Sequence, residues 1–189
     1  MRIVGGKWRG RKLSKLAGNF LSPDLRPTMD RVRETIFNIL AHGVFFDVKG
    51  TRVLDLFCGT GALGFEALSR GAKHVSFIDR DKTSISILSE NISLLNAEKE
   101  VMVLQSDATK LRKNIGQDFD LIFLDPPYGR GLGELALDIA LMHGWISKNA
   151  VVVWEEQNEI FPPKKLNLVK SRPIGNISLN FFKLSNTFS

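Results

Sequence analysis

Two hydrophobic rhythms run through the chain. After residue 50, short apolar runs at 53–57, 75–78, 101–104, 121–124 and 151–154 alternate with longer amphipathic stretches. The runs are nearly continuous in apolar residues, as strands buried on both faces are. The stretches between them have helical spacing: 62–70, closed by Gly71; 83–95, with Ile85, Leu88, Ile92 and Leu95; and 132–143, with Leu132, Leu135, Ile139 and Met142. Strand and helix in alternation predict an α/β fold with a mostly parallel sheet covered on both faces. Segments 166–170 and 177–184, split by Pro173 and Gly175, predict a C-terminal antiparallel hairpin. Before residue 50 the pattern differs. Thr28-Met29-Asp30 predict the cap of a helix with Val32, Ile36, Ile39 and Leu40 on one face, and the glycine-rich residues 1–26 read as an extended arm or short hairpin. The expected division is a basic N-terminal extension, 1–45, and a main domain, 46–189.

Composition narrows the class. The 189 residues suffice for one domain with a sizeable core, and the single cysteine, Cys58, excludes an internal disulfide. No apolar run approaches a membrane span, and the N-terminus lacks the apolar core of a secretory signal, so a cytoplasmic protein is expected. His42, His74 and His143 are dispersed and no metal-ligand spacing occurs, so no metal is expected. Cys58 reads as packing, and Glu155-Glu156 as a solvated pair.

Charge adds a partner. Residues 1–33 hold nine basic and two acidic side chains, whereas the remainder is net −1. Lys7, Arg9, Arg11 and Lys12 flank Trp8, a composition suited to a nucleic-acid backbone. Arg31 and Arg33, with Arg26, extend the phosphate-binding candidates.

The first strand runs into DLFCGTGALG, where Gly59, Gly61 and Gly64 satisfy G-x-G-x-x-G between a strand and a helix. Glycines there permit a sharp turn and close approach of a ligand to the main chain. Asp79 ends the second strand, 20 residues after Gly59, where an acid can accept both ribose hydroxyls. Asp107 follows the third strand, where an acid can accept from an adenine amine. Asp55 beside the loop disfavours a pyrophosphate and suits a cofactor carrying an ammonium and a sulfonium, S-adenosyl-L-methionine. The candidate cofactor set is Asp55, Phe57, Gly59, Thr60, Gly61, Asp79, Arg80, Asp107 and Ala108.

The fourth strand ends in Asp125-Pro126-Pro127-Tyr128. Consecutive prolines fix φ and remove N–H donors, leaving stiff acceptors. The Asp125 carboxylate and the Pro126 carbonyl can take both hydrogens of one exocyclic amine, and Tyr128 can stack on an extruded base. Such an amine is a poor nucleophile because its lone pair is delocalised into the ring. Two acceptors favour a pyramidal nitrogen whose lone pair faces a methyl carbon. Asp125, Pro126, Pro127 and Tyr128 are the catalytic candidates.

The stretches MRIVGGKWRGRKL, RPTMDRVRETIFNIL, VLDLFCGTGALGFEALSRGA and FDLIFLDPPY together resemble the RsmD family, the 16S rRNA (guanine-N2)-methyltransferases. That resemblance implies a class I, Rossmann-like methyltransferase fold using S-adenosyl-L-methionine. It implies as target the N2 amine of one guanine in 16S rRNA, presented on an assembled or assembling small ribosomal subunit. By position the family's cofactor loop falls on residues 55–61, its ribose-binding acid on Asp79, its adenine-side acid on Asp107 and its amine-binding motif on residues 125–128. Asp79 stands where relatives more often have Glu, and RPIGNISLNFFK lacks the family's Tyr-Gly pattern. A monomer is expected.

Three rival readings remain. An adenine-N6 DNA methyltransferase shares the chemistry, but the chain has little room for a DNA target-recognition domain. A nicotinamide-dependent dehydrogenase would use the glycine loop and have no need of Asp125-Pro126-Pro127-Tyr128. A non-catalytic RNA-binding module would need only the arm.

Overall fold

The computed structural model describes residues 1–15, 25–44, 46–157 and 159–185, with 25–29 as backbone only. A seven-stranded sheet organises the chain. Its strands are β1 (Arg52–Leu56), β2 (His74–Asp79), β3 (Val101–Gln105), β4 (Phe119–Leu124), β5 (Ile146–Glu156), β6 (Leu166–Ile174) and β7 (Ile177–Leu184). The helices are α1 (Leu25–Asn38), α2 (Ala62–Ser69), α3 (Lys82–Leu95) and α4 (Leu132–Met142). The strand order is β3-β2-β1-β4-β5-β7-β6. The first five strands are parallel, and β7 pairs antiparallel with both β5 and β6. Sequence spacing therefore gave the class correctly: parallel α/β with a C-terminal antiparallel hairpin.

The order reverses between β1 and β4, so their connections leave in opposite directions and a crevice opens beyond their carboxyl ends. Leu56 pairs with Leu124, which brings the glycine loop and the Asp125 segment to that one crevice.

Both faces are dry. Val53, Phe123, Val151, Val153, Leu179 and Phe181 pack with α1 on one side, where the Phe37 and Phe123 rings meet edge to face at 5.8 Å. Leu54, Leu56, Ile122, Leu124, Val152 and Trp154 pack with α4 on the other. Gly64 sets the approach of α2 to the sheet, because a Cβ there would lie 2.3 Å from the Phe77 ring and 2.8 Å from Val75. Gly64→Ala should destabilise the protein by about 1–3 kcal/mol through overpacking, measured by thermal unfolding. An unchanged midpoint would show that α2 can retreat without cost.

Several elements differ from expectation. The α1 backbone is already helical at Leu25, ahead of the anticipated cap at 28–30, and runs on through a π-turn at Ile39–Gly43. Phe57 is not a strand residue: β1 stops at Leu56, and Phe57 turns left-handed with φ 58°. The larger difference is in α4. Its large residues Leu135 and Met142 are exposed (54% and 73%), whereas Gly133, Ala136, Leu137 and Ala140 face inward. A Cβ on Gly133 would meet the Trp154 ring at 2.2 Å. The helix therefore uses small residues to sit close to a fully buried indole, and the stripe of largest side chains does not mark the inner face.

The N-terminal segment is a docked loop. Ile3 N donates to Arg11 O at 2.9 Å, Arg2 forms a β-bridge with Lys12, and Ile3 and Leu13 are buried. Glu66 of α2, fully buried, accepts from Val4 N at 2.7 Å, Gly5 N at 2.8 Å and Arg70 Nε at 2.8 Å. A buried carboxylate is tolerated only when partnered in this way. Ser69 Oγ donates to Gly5 O and accepts from Trp8 N. Gly6 needs to be glycine, with φ +74° and a virtual Cβ 1.8 Å from Ser69 O.

Candidate active site

The loop after β1 is shaped by the acids around it. Asp79 Oδ2 accepts from Gly59 N at 2.8 Å, and Oδ1 accepts from Asp81 N at 2.9 Å. Each oxygen keeps a further lone pair for a ligand. Gly59 has φ 52° and Gly61 φ 83°, both left-handed, and a Cβ on Gly59 would meet open space. The Gly59 main chain is thus bare towards the solvent side. Asp55 lies beneath, 2% exposed, accepting from Gly64 N at 2.9 Å. Burial, opposed by that N–H and reinforced by Asp79, pushes its pKa up to about 7. Cys58 is buried in the same place, and burial drives its thiol pKa far upward, which leaves it inert packing.

A raised carboxyl pKa ties stability to pH. Neutral Asp55 is the form that the fold favours, so its contribution is complete below about 4 and is lost as pH rises towards 7. Asp55→Asn removes the ionisable group. The variant should gain stability on the wild type between pH 4 and 8, by up to about 4 kcal/mol, in unfolding titrations. Parallel pH curves would refute it.

The crevice itself has a volume of about 570 Å³, within the range of small-molecule sites. Phe57, Asp79, Arg80 and Asp81 line one wall; Asp125, Pro126, Pro127, Tyr128 and Leu132 line the other. Asp125, immediately after β4, keeps solvent-accessible surface but is crowded by protein. Desolvation first, then Glu155, Asp55 and Glu156, raises its pKa well above the usual carboxylate range. Among the described residues no donor is bonded to its carboxylate. Tyr128 OH donates to Glu155 Oε1 at 2.7 Å, and burial, with the charge of Asp125, raises the phenol pKa. Glu155 is raised too, by burial, against the Tyr128 bond.

Glu155 and Glu156 are therefore not a solvated pair. Glu156 is 6% exposed and Glu155 grips the tyrosine. The sequence signal was their place at the end of a buried strand, level with Asp125.

Other candidates scatter. Asp107 caps the turn Ala108–Lys110, accepting from Thr109 N at 2.9 Å and Thr109 Oγ1 at 2.7 Å, which lowers its pKa. Its Oδ2 lies 3.8 Å from Arg80 Nη1, outside the crevice lining, and Ala108 is buried beneath it. Thr60 is held by Asn91, which sequence reasoning missed. Fully buried in α3, Asn91 donates to Thr60 O at 3.1 Å and accepts from Ser14 N at 2.7 Å, tying the arm to the loop. A polar residue between Leu88 and Leu95, on the helix face that also carries Ile92, was the available signal.

The basic residues divide. Arg9, Arg11 and Lys12 are exposed, and Arg11 donates to Leu94 O. Lys7 pairs with Glu100 at 2.7 Å and sits 4.2 Å above the Trp8 ring. Arg33, 4% exposed, donates to Arg2 O at 2.7 Å and pairs with Asp30. Its guanidinium holds the arm and is closed to an external phosphate. Arg31 is exposed; the side chain of Arg26 lies outside the described residues.

Known proteins fit this geometry. The family model described as "Conserved hypothetical protein 95" matches residues 1–183. A Haemophilus influenzae protein named Ribosomal RNA small subunit methyltransferase D is 37% identical over 188 residues, 97% of this chain and 93% of its own. The Escherichia coli K12 protein of the same name is 41% identical over 159 residues, 84% of this chain and 76% of its own. The chain belongs to the RsmD family. A solved Escherichia coli structure described as "Putative methyltransferase yhhF" superposes with a TM-score of 0.85 at 34% identity, covering 99% of both chains. Its counterpart from Haemophilus influenzae gives 0.78 at 32% identity, with 97% of both chains covered. The chain is a methyltransferase with the class I fold.

Proposed function

We propose that this family member transfers a methyl group to the exocyclic N2 amine of a guanine in 16S rRNA, with S-adenosyl-L-methionine as donor. One observation carries the chemistry: a carboxylate with no bonded donor among the described residues, Asp125, stands at the crevice where the sheet order reverses, with Tyr128 beside it. The names of the relatives support small-subunit rRNA as the substrate.

The residues present fit the cofactor. Gly59 offers bare main chain, Asp79 has lone pairs to spare for hydroxyls, and the Asp125 carboxylate lines the crevice where a cationic group would sit. Asp79, Phe57, Gly59 and Gly61 would hold it, with Asp107 and Arg80 at the outer end. Bound there, it supplies an electrophilic methyl group. The protein's part is positional and electrostatic. Asp125 accepts one amine hydrogen, the Pro126 carbonyl is assigned the other, and Tyr128, fixed by Glu155, provides a face for the base. Positive charge develops on the amine nitrogen as it is alkylated, and carboxylates aimed at it lower the barrier. The raised pKa of Asp125 makes it a stronger proton acceptor than an ordinary carboxylate.

Mass spectrometry of nucleosides from rRNA incubated with protein and donor tests the proposal. It requires N2-methylguanosine to appear. Methyl-adenosine, or no methylated nucleoside, rejects it.

A further inference from the structure

A second groove opens on the α1 face of the sheet, with a volume of about 570 Å³. Thr35, Asn38 and His42 form one wall, Lys170 and Arg172 of β6 the other, and no acid lines it. Both cations are exposed. The charge around them is one-sided. After Glu159 the chain contains five lysines and arginines and no Asp or Glu. Residues 34–159 are net −6, so summing everything after residue 33 conceals this second basic segment.

Register places the groove beside the reaction. Arg172 pairs with Leu179, and Leu179 pairs with Glu155. Leu124 pairs with Trp154, so Asp125 follows at the level of Glu155. Arg172 therefore lies two strands from Glu155, roughly 10 Å, at the carboxyl edge that bears Asp125. Leu179 is buried against the α1 side of the core, so Arg172, directly opposite it, projects to that same side. Arg31 lies one helical turn before Thr35, outside the groove lining, with the exposed Glu34 beside it.

We propose that this groove, walled by Thr35 and Asn38 of α1, His42 of the π-turn that follows it, and Lys170 and Arg172 of β6, seats the sugar-phosphate backbone of the RNA strand flanking the target nucleotide. The inference rests on the rRNA reading above and assigns that substrate a second contact surface, separate from the docked N-terminal loop. An RNA strand matches the groove in two ways. Its phosphates are anionic while the charged side chains of the groove, Lys170 and Arg172, are both cationic, and a nucleotide extruded towards Tyr128 must carry its neighbouring phosphates past the sheet edge where Glu155 and Arg172 lie.

The test is Lys170→Gln/Arg172→Gln, two exposed positions outside the crevice. Thermal unfolding and S-adenosyl-L-methionine affinity should match the wild type. Binding to a fluorescent 16S rRNA fragment should weaken at least tenfold in moderate salt. The slope of log K against log salt should become shallower by about 1.5, the release expected for two phosphates. In methylation assays the loss should fall on KM for RNA, with kcat nearly unchanged. Wild-type affinity and slope in the variant overturn the inference while leaving the methyltransferase reading standing. Wild-type protein that binds the fragment but transfers no methyl to rRNA overturns that reading and leaves the groove. Failure of the wild type to bind the fragment overturns both. Normal binding to naked rRNA with activity lost only on ribosomal particles overturns the RNA assignment in favour of a protein partner in the particle.

Discussion

Asp125→Asn should lower kcat for methyl transfer by about 10²–10³-fold while leaving S-adenosyl-L-methionine affinity within a few fold. Asparagine keeps the size and one acceptor but loses the charge facing the alkylated nitrogen. It also relieves crowding, since Asp125 shares its surroundings with Glu155, Asp55 and Glu156. The variant should therefore unfold no earlier than the wild type, which separates a chemical loss from a structural one. The pH profile gives a second readout. The ionised acceptor appears only as pH rises through a pKa held above the usual carboxylate range, so wild-type kcat/KM should climb with pH there. Because the Glu155 charge contributes to raising Asp125, that limb reports on both carboxyls, and Asp125→Asn should shift or remove it. A variant with wild-type kcat would remove Asp125 from the chemistry. Initial rates with labelled donor, combined with calorimetric cofactor binding, decide the point.

Asp79→Ala should have the opposite signature: cofactor affinity falls about 100-fold, some 3 kcal/mol, and kcat at saturating donor changes far less. The expected loss has two sources. The carboxylate is the candidate acceptor for the cofactor's hydroxyls, and it also holds Gly59 N and Asp81 N. Removing it leaves those two N–H groups without their acceptor and loosens the loop. Asp79→Glu separates the two roles. The longer acid can restore ligand contacts, so partial rescue of affinity would favour direct contact, and no rescue would favour loop support. Calorimetry with S-adenosyl-L-methionine is the measurement. Unchanged affinity in Asp79→Ala would remove Asp79 from the cofactor site.

How legible each part was depends on whether the signal is local. The strand runs, the glycine loop and the 125–128 segment are continuous in sequence, and all lie where the fold needs them. Glu155 was misjudged because its role comes from a neighbour 27 residues away, Tyr128, across a strand pairing. Arg33 was misjudged for the same reason. Its partners include Arg2 O, contributed by a loop that the sequence describes only as basic. The inner face of α4 is not marked by its largest apolar residues, because close approach to Trp154 requires small ones.

By itself the sequence determined the alternation of strands and helices, the place of the glycine loop and of the 125–128 segment at strand ends, and the family, because these reside in contiguous residues and their spacing. The tertiary structure alone decided which charges are free. Glu66, Arg33 and Glu155 are held by partners distant in the chain, while Lys170 and Arg172 face an open groove. A side chain's charge is written in the sequence; whether it is neutralised, buried or offered to a ligand depends on what the fold brings within about 3 Å of it.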